Sequence, residues 1–128
     1  MGDRGNIEIV QGTKLGNNGE QRALDSVYLY THWRGSQVCQ VLAKALKEGQ
    51  RWDDPSYLTR IIFNELQGTD REATGFGIGI GIPDDNEYAI PKVIWSNNEK
   101  PELRVHYNGR DFSPNEFIEE YNEDKADV

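Results

Sequence analysis

The residue types best suited to bind or react with a ligand recur at every second position in two stretches. Tyr28, Tyr30 and His32 form one set, and Arg104 and His106 form the other. Successive side chains of a β-strand point to opposite faces, so each set would lie on one face of a sheet. Phenol rings stack on flat molecules, and guanidinium and imidazole groups pair with anions. These residues predict a site for an anionic, ring-bearing, nucleotide-like molecule.

A glycine-rich strand is predicted to form the floor of this site. Residues 75–82 alternate glycine with a large apolar residue. One face of such a strand carries no side chains, so another group can approach its backbone closely. We expect Gly77 and Gly79 to lie at the centre of the floor and the large residues to face the helices. An ordinary polar sheet face, or a contact with a second copy of the chain, is the alternative.

The junction between a strand and a helix adds two candidate binding residues. Arg34 and Ser36 follow the stretch that ends at Trp33. Free backbone N–H groups at a helix start attract a phosphate or a carboxylate, and Arg34 would add positive charge. The spacing is not that of a P-loop. The alternative is that Ser36 only caps the helix.

Enzymatic chemistry is the weaker prediction, and we expect that the protein is not an enzyme. Cys39 lies in the first turn of the same helix, and His32 could act as its base. His32 with His106 could also perform acid–base hydrolysis, but neither residue belongs to a complete phosphoesterase motif. We predict no metal site and no cofactor, because no diagnostic ligand spacing is present.

The elements that would position these residues follow from residue patterns and capping signals. Alternation predicts strands, and apolar residues at intervals of three and four predict helices. Pro91 would place its strand at a sheet edge or in a bulge. Ser113 and Glu116 form a capping box. The predicted strands are 6–10, 27–33, 75–82, 88–95 and 103–107, and the predicted helices are 36–49, 54–68 and 113–121, with a turn at 16–19.

The order β-β-α-α-β-β-β-α predicts an α+β domain with about five strands in a largely antiparallel sheet and helices on one face. The residues predicted to face the helices are Ile7, Ile9, Leu29, Phe76, Ile78, Ile80, Ile82, Leu103, Val105 and Tyr107. Residues 1–122 would form this single domain. Residues 123–128 would be a frayed acidic tail.

Two stretches resemble small uncharacterised proteins of bacteria and their phages. The first is 27–33 with Gly35 and Ser36 (VYLYTHW, then GS), and the second is 51–63 (RWDDPSYLTRIIF). The resemblance covers about the middle third of the chain. It implies no activity, cofactor or catalytic residue, so the site predictions stand on local chemistry.

Composition limits the classes of partner. The 128 residues include 14 Lys and Arg and 22 Asp and Glu, which gives a net charge of −8. This charge argues against binding to duplex nucleic acid and favours, as an alternative function, an acidic interaction module or inhibitor such as a phage–host antagonist. One cysteine excludes an internal disulfide. With no apolar run of membrane length and no signal-peptide pattern, we expect a soluble, cytoplasmic protein.

Overall fold

The computed structural model describes residues 2–10, 13–15, 21–23, 26–49, 51–68, 75–83, 86–95 and 102–121. Within these ranges the chain forms strands, three α-helices and a short 3₁₀ helix at Gly35–Gln37. The helices are α1 (Val38–Gly49), α2 (Pro55–Gln67) and α3 (Pro114–Tyr121). The strands are β1 (Gly5–Val10), β2 (Thr13–Leu15), β3 (Gln21–Ala23), β4 (Val27–Thr31), β5 (Phe76–Ile80), β6 (Lys92–Trp95), β7 (Leu103–Tyr107) and β8 (Arg110–Phe112).

Six strands form one mixed sheet in the order β5-β4-β1-β6-β7-β8, and β2 and β3 form a separate hairpin. The central pair β1–β6 is parallel, and the other pairs are antiparallel. The α+β class and the largely antiparallel sheet are confirmed. The predicted number of strands was too low, because β8 follows a tight turn in which Asn108 and Gly109 have φ angles of 52° and 76°.

Helix α2 begins and ends, and helix α3 begins, at the residues whose types predicted it. The side chain of Asp54 accepts a hydrogen bond from the backbone N–H of Tyr57, and Pro55 follows at the first helical position. Gly68 ends α2 with a φ of 61°. At α3, Ser113 and Glu116 exchange the two hydrogen bonds of a capping box. For α1 the predicted start at Ser36 was wrong, because Ser36 lies inside the 3₁₀ helix and α1 begins at Val38.

The core lies between one face of the sheet and the helices. α1 contacts β1, α2 contacts β4, and α3 contacts β7. The core residues of the sheet were predicted correctly from alternation for Ile7, Ile9, Leu29, Leu103 and Val105, all of them buried. Val93 and Trp95 of β6 and Phe117 of α3 complete this layer. None of the helices in the described ranges is long and apolar enough to cross a membrane.

The glycine strand departs most from expectation. β5 lies at one end of the sheet, and β4 is its only partner among the described strands. Ile78 is the register partner of the buried Leu29, so it points to the predicted side, yet the helices do not cover it. Ile78, Ile80 and Ile82 are 61%, 75% and 76% exposed. The prediction that these isoleucines pack against the helices was wrong, because the helical layer is narrower than the sheet.

The strand after β5 also differs from its prediction. β6 begins at Lys92, immediately after Pro91, rather than at Tyr88. It lies inside the sheet, between β1 and β7, because the proline precedes the ladder and removes no hydrogen bond from it. The predicted turn at 16–19 and the predicted tail at 123–128 lie outside the described residues.

Candidate functional site

The side-chain-free face of β5 is partly occupied by the chain itself. A Cβ atom on Gly75 would lie 2.9 Å from Nε1 of Trp33, and one on Gly79 would lie 3.0 Å from the carbonyl oxygen of Ile82. Gly81 has a φ of +86°, which L side chains rarely adopt. A Cβ on Gly81 would meet nothing within 4 Å, and one on Gly77 would meet a carbon of the Tyr30 ring at 3.9 Å, an ordinary contact distance. Local packing and backbone conformation therefore account for three of these glycines.

One half of the predicted binding set does come together beside β5. Tyr28 pairs with Gly79 and Tyr30 pairs with Gly77 across the β4–β5 ladder. The Tyr30 hydroxyl lies 3.0 Å from Nδ1 of His32. Burial and the negative charge of Glu8 raise the pKa of Tyr28. The Glu8 carboxylate next to the Tyr28 ring disfavours an anion at that point.

The positive charge expected from Arg34 is directed elsewhere. Its Nη1 donates to the carbonyl oxygens of Glu65 and Leu66, at 3.0 and 3.1 Å. These carbonyls belong to the last turn of α2, where backbone acceptors lack helical partners and the helix dipole favours a cation. Arg34 therefore joins the end of β4 to the end of α2.

The anion expected at Ser36 is a carboxylate of the same chain. Asp3 accepts from the Ser36 backbone N–H at 3.1 Å and from the Ser36 hydroxyl at 2.6 Å. The Tyr88 hydroxyl donates to the same carboxylate at 2.5 Å. The Ser36 and Tyr88 side chains lower the pKa of Asp3. The negative group at this position therefore comes from Asp3 of the same chain.

Arg104 and His106 lie on the expected face, far from the glycine strand. Their strand, β7, is separated from β5 by β4, β1 and β6, a span of about 19 Å at ordinary strand spacing. One row of register partners crosses the whole sheet on this face: Gly79, Tyr28, Glu8, Lys92, His106 and Asp111. Of the nine predicted site residues, those on β4 and β5 therefore lie together, whereas Arg104 and His106 lie on a distant strand.

Asp111 contacts both basic side chains on β7. Arg104 contacts its carboxylate through two nitrogens, each at 3.1 Å, and Nε2 of His106 lies 3.2 Å from Oδ1. The hydrogen bond from Arg104 lowers the pKa of Asp111 and raises the pKa of Arg104. This cluster is a polar surface contact between β7 and β8.

A shallow cleft of about 260 Å³ lies beside the same cluster, between β8 and α3. Carboxylates predominate in its lining, so it also disfavours an anionic ligand. The lining residues are Arg110, Asp111, Phe112, Glu116, Glu119 and Glu120.

Cys39 lies in the core rather than at a reactive position. It is 6% exposed, and burial raises the pKa of its thiol to about 11. A thiol with this pKa stays protonated at neutral pH, so it is a poor nucleophile. Its polar neighbour is Tyr107, whose own pKa is raised to about 12, chiefly by burial. His32, the base considered for Cys39, is hydrogen-bonded to Tyr30.

The feature that the sequence analysis missed is the free edge of β5. His32 N–H donates to Gly75 O at 2.9 Å, and Gly81 N–H donates to Ser26 O at 2.8 Å. Because an antiparallel ladder alternates, the glycine backbone groups point toward β4, and the N–H and C=O groups of Phe76, Ile78 and Ile80 point away from it. Within the described ranges no strand pairs with these outward groups.

Apolar side chains line this edge. Ile78, Ile80 and Ile82 expose most of their surface, and Trp33, which lies against Gly75, is 49% exposed. The outward-pointing N–H and C=O groups of β5 therefore lie next to a row of exposed apolar side chains. Residues 75–83 contain no charged residue, which was the available sequence signal for an open edge.

Comparisons place no known protein beside this fold. No family model matches the chain, and neither the curated proteins nor the solved structures contain a match. Among the described residues, no group of three or more His, Cys, Asp or Glu side chains is arranged to hold a metal ion. The functional argument therefore depends on the geometry of this chain.

Proposed function

We propose that this protein is a protein-interaction domain that binds an extended polypeptide strand along the free edge of β5. The observation that carries the proposal is the outward backbone of Phe76, Ile78 and Ile80 next to the exposed isoleucine side chains. An added strand supplies the missing hydrogen bonds, and its alternate side chains cover the hydrocarbon.

The composition of the strand supports this function over simple exposure to solvent. Protein surfaces normally protect an edge strand with charges, proline or a bulge, because an unprotected edge pairs with other chains. β5 contains none of these between Phe76 and Ile80. Complete burial of one isoleucine side chain contributes roughly 1.5–3 kcal/mol, so covering Ile78 and Ile80 would favour binding substantially.

The chemistry of the partner follows from the two faces of β5. On the helix side, Ile78 and Ile80 require an apolar surface. On the opposite side, Gly77 and Gly79 leave little to contact beyond Tyr28 and Tyr30. The preferred partner is therefore a strand with large apolar side chains on one face and small side chains on the other.

The binding of an anionic, ring-bearing molecule has less support from the same geometry. Tyr28, Tyr30 and His32 remain near Gly77, but Arg34 binds the end of α2 and Arg104 binds Asp111. A strand binds through backbone groups and needs no cation, whereas a pairing cation such as Arg strengthens the binding of an anion. The arrangement favours a polypeptide as the ligand.

The test uses a synthetic peptide that alternates valine and threonine between lysine ends. Hydrogen exchange with mass spectrometry is measured on dilute protein, first alone and then with excess peptide. We expect slower exchange in the fragments that contain Phe76, Ile78 and Ile80, because their N–H groups become donors to the peptide. A peptide with proline at its central position is the charge-matched control and should give no protection.

The variant Ile78→Pro provides a matched test from the side of the protein. It removes an N–H that points away from β4, so the β4–β5 ladder is preserved. We expect the variant to fold and to lose peptide binding. Unchanged exchange at β5 in the wild-type protein at the highest soluble peptide concentration would contradict the proposal, as would undiminished binding by the variant.

A further inference from the structure

The pattern of β5 also identifies its partner, an inference that rests on the proposed function above. We infer that the strand bound at this edge is β5 of a second copy, paired antiparallel about a two-fold axis at Ile78. This arrangement places Ile78 opposite its symmetry mate, Phe76 opposite Ile80, and Gly77 opposite Gly79. An isologous contact requires a self-complementary surface, and this alternation supplies one.

The backbone of β5 satisfies the same pairing. Phe76, Ile78 and Ile80 are the residues whose N–H and C=O groups point outward. In an antiparallel ladder, opposing residues of this kind exchange two hydrogen bonds. A shift of one residue would place an outward-pointing residue opposite a glycine whose groups are already bonded to β4. The register centred on Ile78 therefore matches hydrogen bonds and side chains together.

Charge does not oppose contact at the axis itself. Each copy carries a net charge of −8, but residues 75–83 contain no charged residue. Like charges that face each other across a ladder destabilise it, and this edge brings none together. The remaining repulsion acts between more distant, solvent-exposed carboxylates, so added salt should screen it.

Pairing of two copies would complete a surface that neither copy has alone. The two six-stranded sheets become continuous, and both sets of helices lie on the same side. On the other side, the glycine faces of two β5 strands adjoin. Tyr28 and Tyr30 of each copy then border a strip three strand spacings wide, about 14 Å.

The deciding experiment uses two variants of opposite charge at the axis. Ile78→Lys and Ile78→Glu each place like charges opposite each other, and each removes two isoleucines from the contact. Analytical ultracentrifugation should show a wild-type dimer and a dissociation constant raised about a hundredfold in either variant. An equimolar mixture should recover the dimer, because Lys then lies opposite Glu. Ile78 is 61% exposed, and circular dichroism verifies that the variants fold.

Tyr57→Lys is the matched control, since Tyr57 is 51% exposed on α2 and lies outside β5. It should keep the wild-type dissociation constant. Higher salt should strengthen the dimer of acidic copies, whereas binding to a basic partner would weaken. A wild-type protein that stays monomeric at all concentrations overturns this inference, and a mixture that fails to dimerise overturns the Ile78 register.

The outcomes separate this inference from the proposed function. A monomeric wild type whose β5 amides are protected by the valine–threonine peptide would overturn the second copy as partner and support strand binding. A dimer that forms while the β5 amides exchange freely, with or without peptide, would overturn both.

Discussion

The strands at the two ends of the sheet, β5 and β8, differ in how well they are protected from pairing with a further strand. β8 has three residues, two of which, Arg110 and Asp111, are exposed and charged. β5 has five residues and no charge, and the isoleucines in and after it are mostly exposed. Both strands leave one side of their backbone without a partner strand in the described part of the chain.

The surroundings of β8 protect it from further pairing. Arg110 reaches Glu120 of α3 at 3.7 Å and lies over the ring of Phe112 at 4.5 Å. A short strand with charged side chains is a poor template for another strand. In the described part of the chain, the molecule thus protects the edge of β8 and leaves the edge of β5 exposed, which is the contrast that the proposed strand binding would explain.

The largest expected contrast between the two ends is in the free energy of unfolding. Phe117 of α3 is fully buried, with its ring centroid 5.4 Å from that of Phe112 in β8. Phe117→Ala should lower the free energy of unfolding by about 3–5 kcal/mol, because it leaves a cavity under the β8 end. Ile80→Ala, at a side chain that is 75% exposed, should change it by less than about 0.5 kcal/mol.

Urea unfolding of dilute, monomeric protein measures both changes. Equal losses for the two variants would show that β5 is part of the stable core of the single chain, and would remove the contrast between the edges.

A smaller effect should come from the start of α3. Ser113 accepts a hydrogen bond from the backbone N–H of Glu116 at 3.2 Å. Ser113→Ala should cost about 1 kcal/mol, because a backbone donor of the first turn loses its partner. Ser56→Ala, at an exposed serine in α2, is the control and should be nearly neutral. A neutral result for Ser113 in urea unfolding would mean that this cap does not hold α3 against β8.

The smallest expected effect depends on pH and belongs to β8. The hydrogen bond from Arg104 lowers the pKa of Asp111 below its ordinary value of 3.8. The ionised carboxylate therefore stabilises the fold fully at a pH above the ordinary pKa. This contribution is lost as the pH falls through the lower pKa of the folded state. Asp111→Asn should be less stable than wild type by under about 1 kcal/mol at neutral pH, because the pair is exposed.

Thermal unfolding at several pH values would test this prediction. The difference between wild type and Asp111→Asn should shrink in acid. A constant difference from neutral pH down to strong acid would exclude ionisation of Asp111 as its source.

Local patterns were sufficient to predict the faces of the strands and the capped starts of two helices, α2 and α3. Alternation assigned Leu29 to the core and Tyr28 and Tyr30 to the opposite face, because side-chain direction in a strand depends only on neighbouring residues. The caps of α2 and α3 followed from residue types at fixed spacing. Only β8 was missed among the elements of the second half of the described chain, since its three residues give too short a pattern.

Contacts between distant parts of the chain could not be predicted in this way. The carbonyls that bind Arg34 lie 31 and 32 residues further along the chain, and the carboxylate that binds Ser36 lies 33 residues before it. The lateral order of the strands is equally non-local, so alternation put Arg104 and Gly77 on one face without showing the strands between them. The predicted ligand site therefore combined residues that lie together beside β5 with Arg104 and His106, which share the same face of the sheet but lie on a distant strand.

The central position of β1 has a consequence for synthesis of the chain. β1 ends at Val10, and its parallel partner β6 begins at Lys92. At ordinary ribosomal rates, translation of the intervening residues takes roughly 4–16 seconds. During that interval the side of β1 that later pairs with β6 has no partner strand. The nascent β1 then has an unpaired backbone edge, as β5 has among the described strands of the folded chain. Chaperones that recognise extended apolar segments would have their best opportunity in this period.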